Sequence, residues 1–154
     1  MKIIKYLIEF IFIYILLIIF KIIGYKNGSN LGEIIGKKIG PLFRSNNKIL
    51  TNLENSNIGN SQEDRKSIIN NMWGNYGRIL SEYIFLKQFR KNNLSKFIEI
   101  EGLNYLKEIK NNNKQVVFVS GHFNNFELMA MEIEKAGINL CAIYRPLNLS
   151  LIHI

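Results

Sequence analysis

The chain has 154 residues, with 20 Lys or Arg against 12 Asp or Glu and a net charge of +8; that length holds one modest domain and excludes a large multidomain enzyme. A single cysteine, Cys141, rules out an internal disulfide and points to a reduced compartment, while 12% aromatic residues and only two prolines argue against a disordered chain. Mean hydropathy is +0.02, high for so basic a protein, because nearly everything from Ile3 to Ile23 is apolar.

Residues 3–23 read IIKYLIEFIFIYILLIIFKII, with a charge-free core from Phe10 to Phe20 bracketed by Glu9 and Lys21. A bilayer core of about 30 Å needs roughly 20 mostly apolar helical residues. The whole segment meets that length if Lys5 and Lys21 reach to the interfaces and Glu9 lies shallow. The leading reading is a transmembrane anchor over residues 1–23. An in-plane interfacial helix is the second reading. A cleaved signal peptide is the third, although no small-x-small site follows the apolar run. Lys21, Lys26, Lys37, Lys38 and Arg44 follow the segment, whereas only Lys2 and Lys5 precede its core. The positive-inside rule then places residues 24–154 in the cytoplasm. The anchor carries net +2, leaving +6 for the rest. That surplus suits anionic lipids and acidic partners, or is solvated surface charge.

Residues 24–60, rich in Gly and Asn, read as one or two short helices joined by loops, with Pro41 interrupting or beginning one of them. Ser61 with Asp64 three residues on forms a helix N-cap with a variant capping box. From there Ile68, Ile69, Met72, Trp73, Tyr76, Ile79, Leu80, Tyr83 and Leu86 recur at helical spacing, predicting an amphipathic helix over about 62–90 whose apolar face is core.

After Asn92 the pattern becomes alternating. Phe97–Glu101 reads as a strand, Leu103–Lys110 as a helix, Gln115–Ser120 (QVVFVS) as a buried strand, Glu127–Ala136 as a helix closed by Gly137, and Asn139–Tyr144 as a third strand. Strand, helix, strand, helix, strand implies parallel pairing with right-handed crossovers. The expected fold class is therefore α/β: a transmembrane helix, a helical region, then a truncated, mostly parallel sheet with flanking helices.

The informative stretch is Ser120-Gly121-His122-Phe123-Asn124-Asn125-Phe126-Glu127, where a buried strand gives way to a helix. Ligands of open α/β sheets bind at the carboxyl ends of strands. Histidine titrates near neutrality and can take a proton from a hydroxyl. A carboxylate five residues on could hold the imidazole tautomer and stabilise the imidazolium. Five residues on a regular helix is a rotation of about 140°, so the pair works only if His122 precedes the helix. The structural alternative is that His122 bonds the turn and Glu127 complements the helix dipole. No second His or Cys lies at ligand spacing, so no metal site is expected, and no cofactor is expected either; the other histidine, His153, sits in the LSLIHI tail.

The His-x-x-x-x-Glu run after an apolar strand resembles the glycerolipid acyltransferase motif, and its surroundings resemble the lipid A biosynthesis lauroyl/myristoyl acyltransferases of bacterial inner membranes. The resemblance runs to Asn148 through the N-terminal helix, LGEIIGKKIG, NKILTNLENS, NYGRILSEY, IEIEGLNYL, VVFVSGHFNNFELMA and AIYRPLN. It implies a sheet of the glycerolipid acyltransferase type and transfer of a fatty acyl chain from acyl carrier protein to a hydroxyl of a lipid A precursor. His122 is then the general base and Glu127 its orienting partner, with Arg145 holding a phosphate or polar head group. Asn125 matches an Asn of the motif and joins Arg145 as a substrate-binding candidate. The basic surface fits acyl carrier protein, which is acidic; no nucleic-acid motif accompanies it. Asn124 stands where this branch usually has Gly and Phe126 where it has Trp. Family members are longer chains, and the sequence after Asn148 departs from their pattern, so a fragment is expected. A sister acyltransferase acting on another glycolipid or phospholipid, and an inactive membrane-tethered binding module, are the alternatives.

Overall fold

A computed structural model describes residues 2–121, 123–141 and 143. His122 and Arg145, the last residues of the expected third strand and the LSLIHI tail lie outside them.

The apolar N-terminal run forms α1 (Lys2–Ile23), followed after Gly24 by α2 (Tyr25–Phe43) and then α3 (Asn46–Asn55). Within α1, the stretch Tyr6–Ile23 is long and apolar enough to cross a membrane. Its side chains from Tyr6 to Ile15 stand exposed, and Phe20 in its last turns is completely buried. Residues 24–60 are thus more helical than their Gly and Asn content suggests. Pro41 lies in the last turns of α2 without ending it.

Ser61 and Asp64 form the expected capping box: the Asp64 N–H donates to Ser61 Oγ and the Ser61 N–H to Asp64 Oδ2, each at 3.1 Å. The helix it opens, α4 (Gln62–Glu82), passes through a 3₁₀ turn (Tyr83–Phe85) into α5 (Leu86–Arg90), covering the span read as one helix. Its seam differs from the expected apolar stripe. Tyr76 is 59% exposed, and the residues α4 buries are Ile69, Gly74, Gly77 and Ser81. The cause is α2, which carries Gly28, Gly32, Gly36 and Gly40 at four-residue spacing along one face. A Cβ built on Gly77 would stand 1.9 Å from the Gly32 carbonyl oxygen, and one on Gly40 would meet the Trp73 ring at 2.3 Å. The two helices touch backbone to backbone, which only small residues permit. Trp73 Nε1 donates to Asn46 Oδ1 at 3.0 Å, tying α3 to the same pair.

Beyond α5, a 3₁₀ turn (Ser95–Phe97), α6 (Leu103–Asn111) and α7 (Glu127–Lys135) complete the described elements. Phe85, Phe89, Leu94 and Met131 form a core on which Tyr25, Ile98 and Leu128 pack. Tyr25 meets the Phe85, Phe89 and Phe97 rings at centroid distances of 5.8, 5.1 and 4.8 Å, joining the start of α2 to the α5–α7 region.

The expected parallel sheet is not there: among the described residues no strand forms. Among the described residues the runs read as strands carry no ladder hydrogen bonds to one another. Val117 and Val119, both expected to be buried, are 88% and 89% exposed. Open clefts lie between the runs. One of about 470 Å³ is bordered by 115–118 and 138–141, and another of about 590 Å³ by 97–102 and Phe118. A ladder needs strands about 4.8 Å apart, and side chains buried on both faces, for a parallel sheet to hold. With Val117 and Val119 exposed the second condition is not met, and apolar β-branched composition does not become a sheet among the described residues.

Candidate active site

The motif loop runs from Ser120 into α7. Asn124 sits at φ +48°, in the left-handed region that Asn and Gly tolerate best. Short-range bonds shape the turn: the Phe123 N–H donates to the Gly121 carbonyl at 2.8 Å, Phe126 N–H to Asn124 at 3.1 Å, and Leu128 N–H to Asn125 at 3.1 Å.

The loop's side chains go three ways. Phe123 and Asn124 are exposed and line an open cleft of about 590 Å³, whose far wall is Glu33 of α2 with Asn75 and Arg78 of α4. Glu127, the first residue of α7, lines a separate cleft of about 700 Å³ with Lys87, Arg90 and Glu134. Its charge is also felt by Tyr83, whose hydroxyl is pushed above its ordinary pKa first by burial and then by Glu127. Asn125 points inward and is only 8% exposed; its Nδ2 donates to Glu82 Oε2 at 3.1 Å. The two described residues among those expected at the site therefore part company: Glu127 faces a cleft, and Asn125 is buried against α4. His122 and Arg145 lie outside the described residues.

Sequence reading missed the charged cluster behind the loop. Glu82 Oε1 accepts from Ser29 Oγ at 3.1 Å and from the Tyr25 hydroxyl at 3.5 Å. Burial, then the Glu82 charge and hydrogen bond, push the Tyr25 pKa up. Arg78 Nη1 donates to Ser29 Oγ and Asn30 Oδ1, both at 3.1 Å, and its Nη2 pairs with Glu33. The bond from Lys37 is the strongest influence holding the Glu33 carboxyl below its ordinary pKa; burial opposes it, and the charges of Arg78 and Lys37 with the Arg78 bond add to the lowering. The signal was present: Arg78 and Glu82 are four residues apart, one turn along an otherwise small and apolar seam. An isolated charge pair beside glycines marks a place where two helices meet and polar groups must be satisfied.

Arg78 also faces the cleft that Phe123 and Asn124 border. A guanidinium at the rim of an open cleft beside Phe123 and Asn124 offers hydrogen-bond donors to an anionic group. Among the described residues no cluster of His, Cys, Asp and Glu stands close enough to hold a metal ion.

No curated protein and no solved structure matches the chain. The family described as Bacterial lipid A biosynthesis acyltransferase matches residues 1–153, taking in the apolar helix, the α2–α4 pair and the motif loop. On that match the chain belongs to the bacterial lipid A biosynthesis acyltransferases, a family of membrane-associated transferase enzymes.

Proposed function

We propose that the protein moves a fatty acyl chain from the thioester of acyl carrier protein to a hydroxyl of a lipid A precursor, with His122 as general base. The observation that carries this reading is the family match, which spans the whole Ser120–Glu127 motif together with the membrane-competent helix. The His122 imidazole takes the proton of the acceptor hydroxyl as its oxygen attacks the thioester carbonyl. The tetrahedral oxyanion that forms needs hydrogen-bond donors aimed at it. As it collapses, the carbon–sulfur bond breaks and the imidazolium returns the proton to the leaving thiolate. Glu127 orients the imidazole and offsets its positive charge. The start of α7 at Glu127 supports that pairing, since the five-residue interval is not one stretch of regular helix. Arg145 holds a phosphate or polar head group of the acceptor.

In this reading α1 is a single anchor in the bacterial inner membrane. Residues 24–154 face the cytoplasm, where acyl carrier protein is met and where the basic surplus attracts it.

The test is an acyl-transfer assay on the membrane-embedded full chain, with lauroyl or myristoyl acyl carrier protein and a lipid A precursor, comparing wild type with His122→Ala. A loss of about 10²-fold or more is expected for removal of a general base. Unchanged transfer in His122→Ala refutes the role of His122, and transfer only to other glycolipids or phospholipids refutes the acceptor.

A further inference from the structure

We infer that Glu82 is a positioning residue for the His/Glu motif, acting through Asn125; the inference rests on the acyltransferase reading and names the group that fixes the loop between its two motif residues. Asn125 lies three residues after His122 and two before Glu127. It is the loop's one buried polar side chain among the described residues, and its Nδ2 bond to Glu82 spans 43 positions of sequence.

The direction of that bond matters. A carboxylate only accepts, so Glu82 can meet only the NH₂ end of the Asn125 amide. The amide cannot flip while Glu82 is there, and its Oδ1 is held on the opposite side. That oxygen is buried, and no donor among the described residues reaches it. A buried acceptor costs free energy unless a donor arrives, so the arrangement keeps an oriented acceptor inside the motif loop. Glu82 is itself fixed from the other side by Ser29 and Tyr25 of α2. The strut therefore runs from the helix that follows the apolar segment, through α4, to the loop. Phe123 and Asn124, the neighbours of Asn125, then stand at the rim of the cleft that Arg78 lines.

The chemistry predicts an exchange experiment. Asn125→Asp sets two carboxylates against each other. Glu82→Leu leaves the amide donor unpaired. Glu82→Gln keeps an acceptor for Asn125, because its NH₂ can turn to the Ser29 and Tyr25 hydroxyls, which accept as well as donate. The double variant Glu82→Gln with Asn125→Asp restores one hydrogen bond with donor and acceptor reversed.

The first readout is amide hydrogen exchange of residues 120–127 in the full chain in detergent, which requires no activity. Exchange should speed up about tenfold in Glu82→Leu and in Asn125→Asp, as expected for an unpaired buried polar group, and return to within about threefold of wild type in the double variant. The second readout is acyl transfer with the substrates named above. Here kcat should fall about tenfold in the two disrupting variants while KM for the carrier thioester stays within about threefold, and Glu82→Gln and the double variant should recover kcat. Unchanged exchange in Glu82→Leu overturns the inference, as does faster exchange with kcat intact, or a double variant no better than Asn125→Asp. A wild type without acyl transfer instead overturns the activity reading, and the exchange measurement still decides whether Glu82 holds the loop.

Discussion

Replacing Gly77 by Ala tests whether the helical pair is held at backbone contact. The added Cβ would stand 1.9 Å from the Gly32 carbonyl oxygen, 2.7 Å from its carbonyl carbon and 3.0 Å from the Gly36 Cα. Ordinary contact begins near 3.4 Å, so α2 and α4 must part by about 1.5 Å locally, and no flexible side chain can absorb the change. A gap of 0.5–1 Å already forfeits roughly a quarter to a half of the dispersion attraction between facing atoms. The cost therefore belongs at the upper end of overpacking, about 3 kcal/mol. Alanine returns about 1 kcal/mol through its better helix propensity. The net loss is about 2 kcal/mol.

Gly74, three residues earlier on the same helix, supplies the control. Its Cβ would meet Lys37 Cε at 2.8 Å, Glu33 Cγ at 2.9 Å and Lys37 Cγ at 3.3 Å, all atoms of flexible side chains that can turn aside, where Gly77 would meet backbone. The propensity gain is the same, and the disturbed Lys37–Glu33 pair is partly exposed and contributes about 0–1 kcal/mol. Gly74→Ala should be neutral or slightly stabilising. Thermal unfolding of the full chain in detergent, followed by circular dichroism, should separate the two variants by about 4 °C or more, at roughly 2–4 °C per kcal/mol for a chain of this size. If Gly77→Ala melts at or above Gly74→Ala, backbone-to-backbone packing of α2 on α4 is refuted.

Phe89, 1% exposed and in ring contact with Tyr25, should cost about 3–5 kcal/mol when cut to Ala, measured by denaturant unfolding; a loss below about 1 kcal/mol would show that this core does not join α2 to α7. For pH, Glu33 has a folded pKa below its ordinary 4.5, so the unfolded chain binds the proton first as pH falls. Its contribution is complete above that value and fades as pH drops through the lower folded value. The stability gap between wild type and Glu33→Gln should thus hold steady from neutrality to about pH 5 and shrink below it. A gap independent of pH would remove Glu33 from the Arg78–Lys37 network.

What could be read from the sequence divides along a physical line. Features set within a few residues were legible: the apolar run of α1, the Ser61–Asp64 capping box, the helical period from Ile68 to Leu86, and Gly137 at φ +79° closing α7. Features that depend on a distant partner were not. Gln115–Ser120 has the composition of a buried strand, but composition cannot supply the neighbouring ladder, and Val117 and Val119 stand exposed. The glycines of α2 looked like loop residues because Gly weakens an isolated helix. Here α4 compensates, and absence of a side chain becomes the condition for contact.

The site follows the same division, and that bears on how the motif works. His122 and Glu127 are visible as a motif because they are near in sequence, but nothing local determines which way the loop between them faces. The polar contact that holds Asn125 of that loop comes from Glu82, 43 residues away, and behind it stand Ser29 and Tyr25. Tyr25 begins α2 directly after Gly24, and Ser29 stands between Gly28 and Gly32 on the helix that packs against α4. The close packing that makes Gly77 intolerant of a methyl group also brings Ser29 within reach of Glu82 and Arg78. Separating α2 from α4 by about 1.5 Å should then loosen the motif loop as well as the helix pair, since a hydrogen bond stretched that far no longer counts as one. Exchange of residues 120–127 in Gly77→Ala is the measurement: protection equal to wild type would mean the loop is held without α2, and faster exchange would tie the glycine seam to the site.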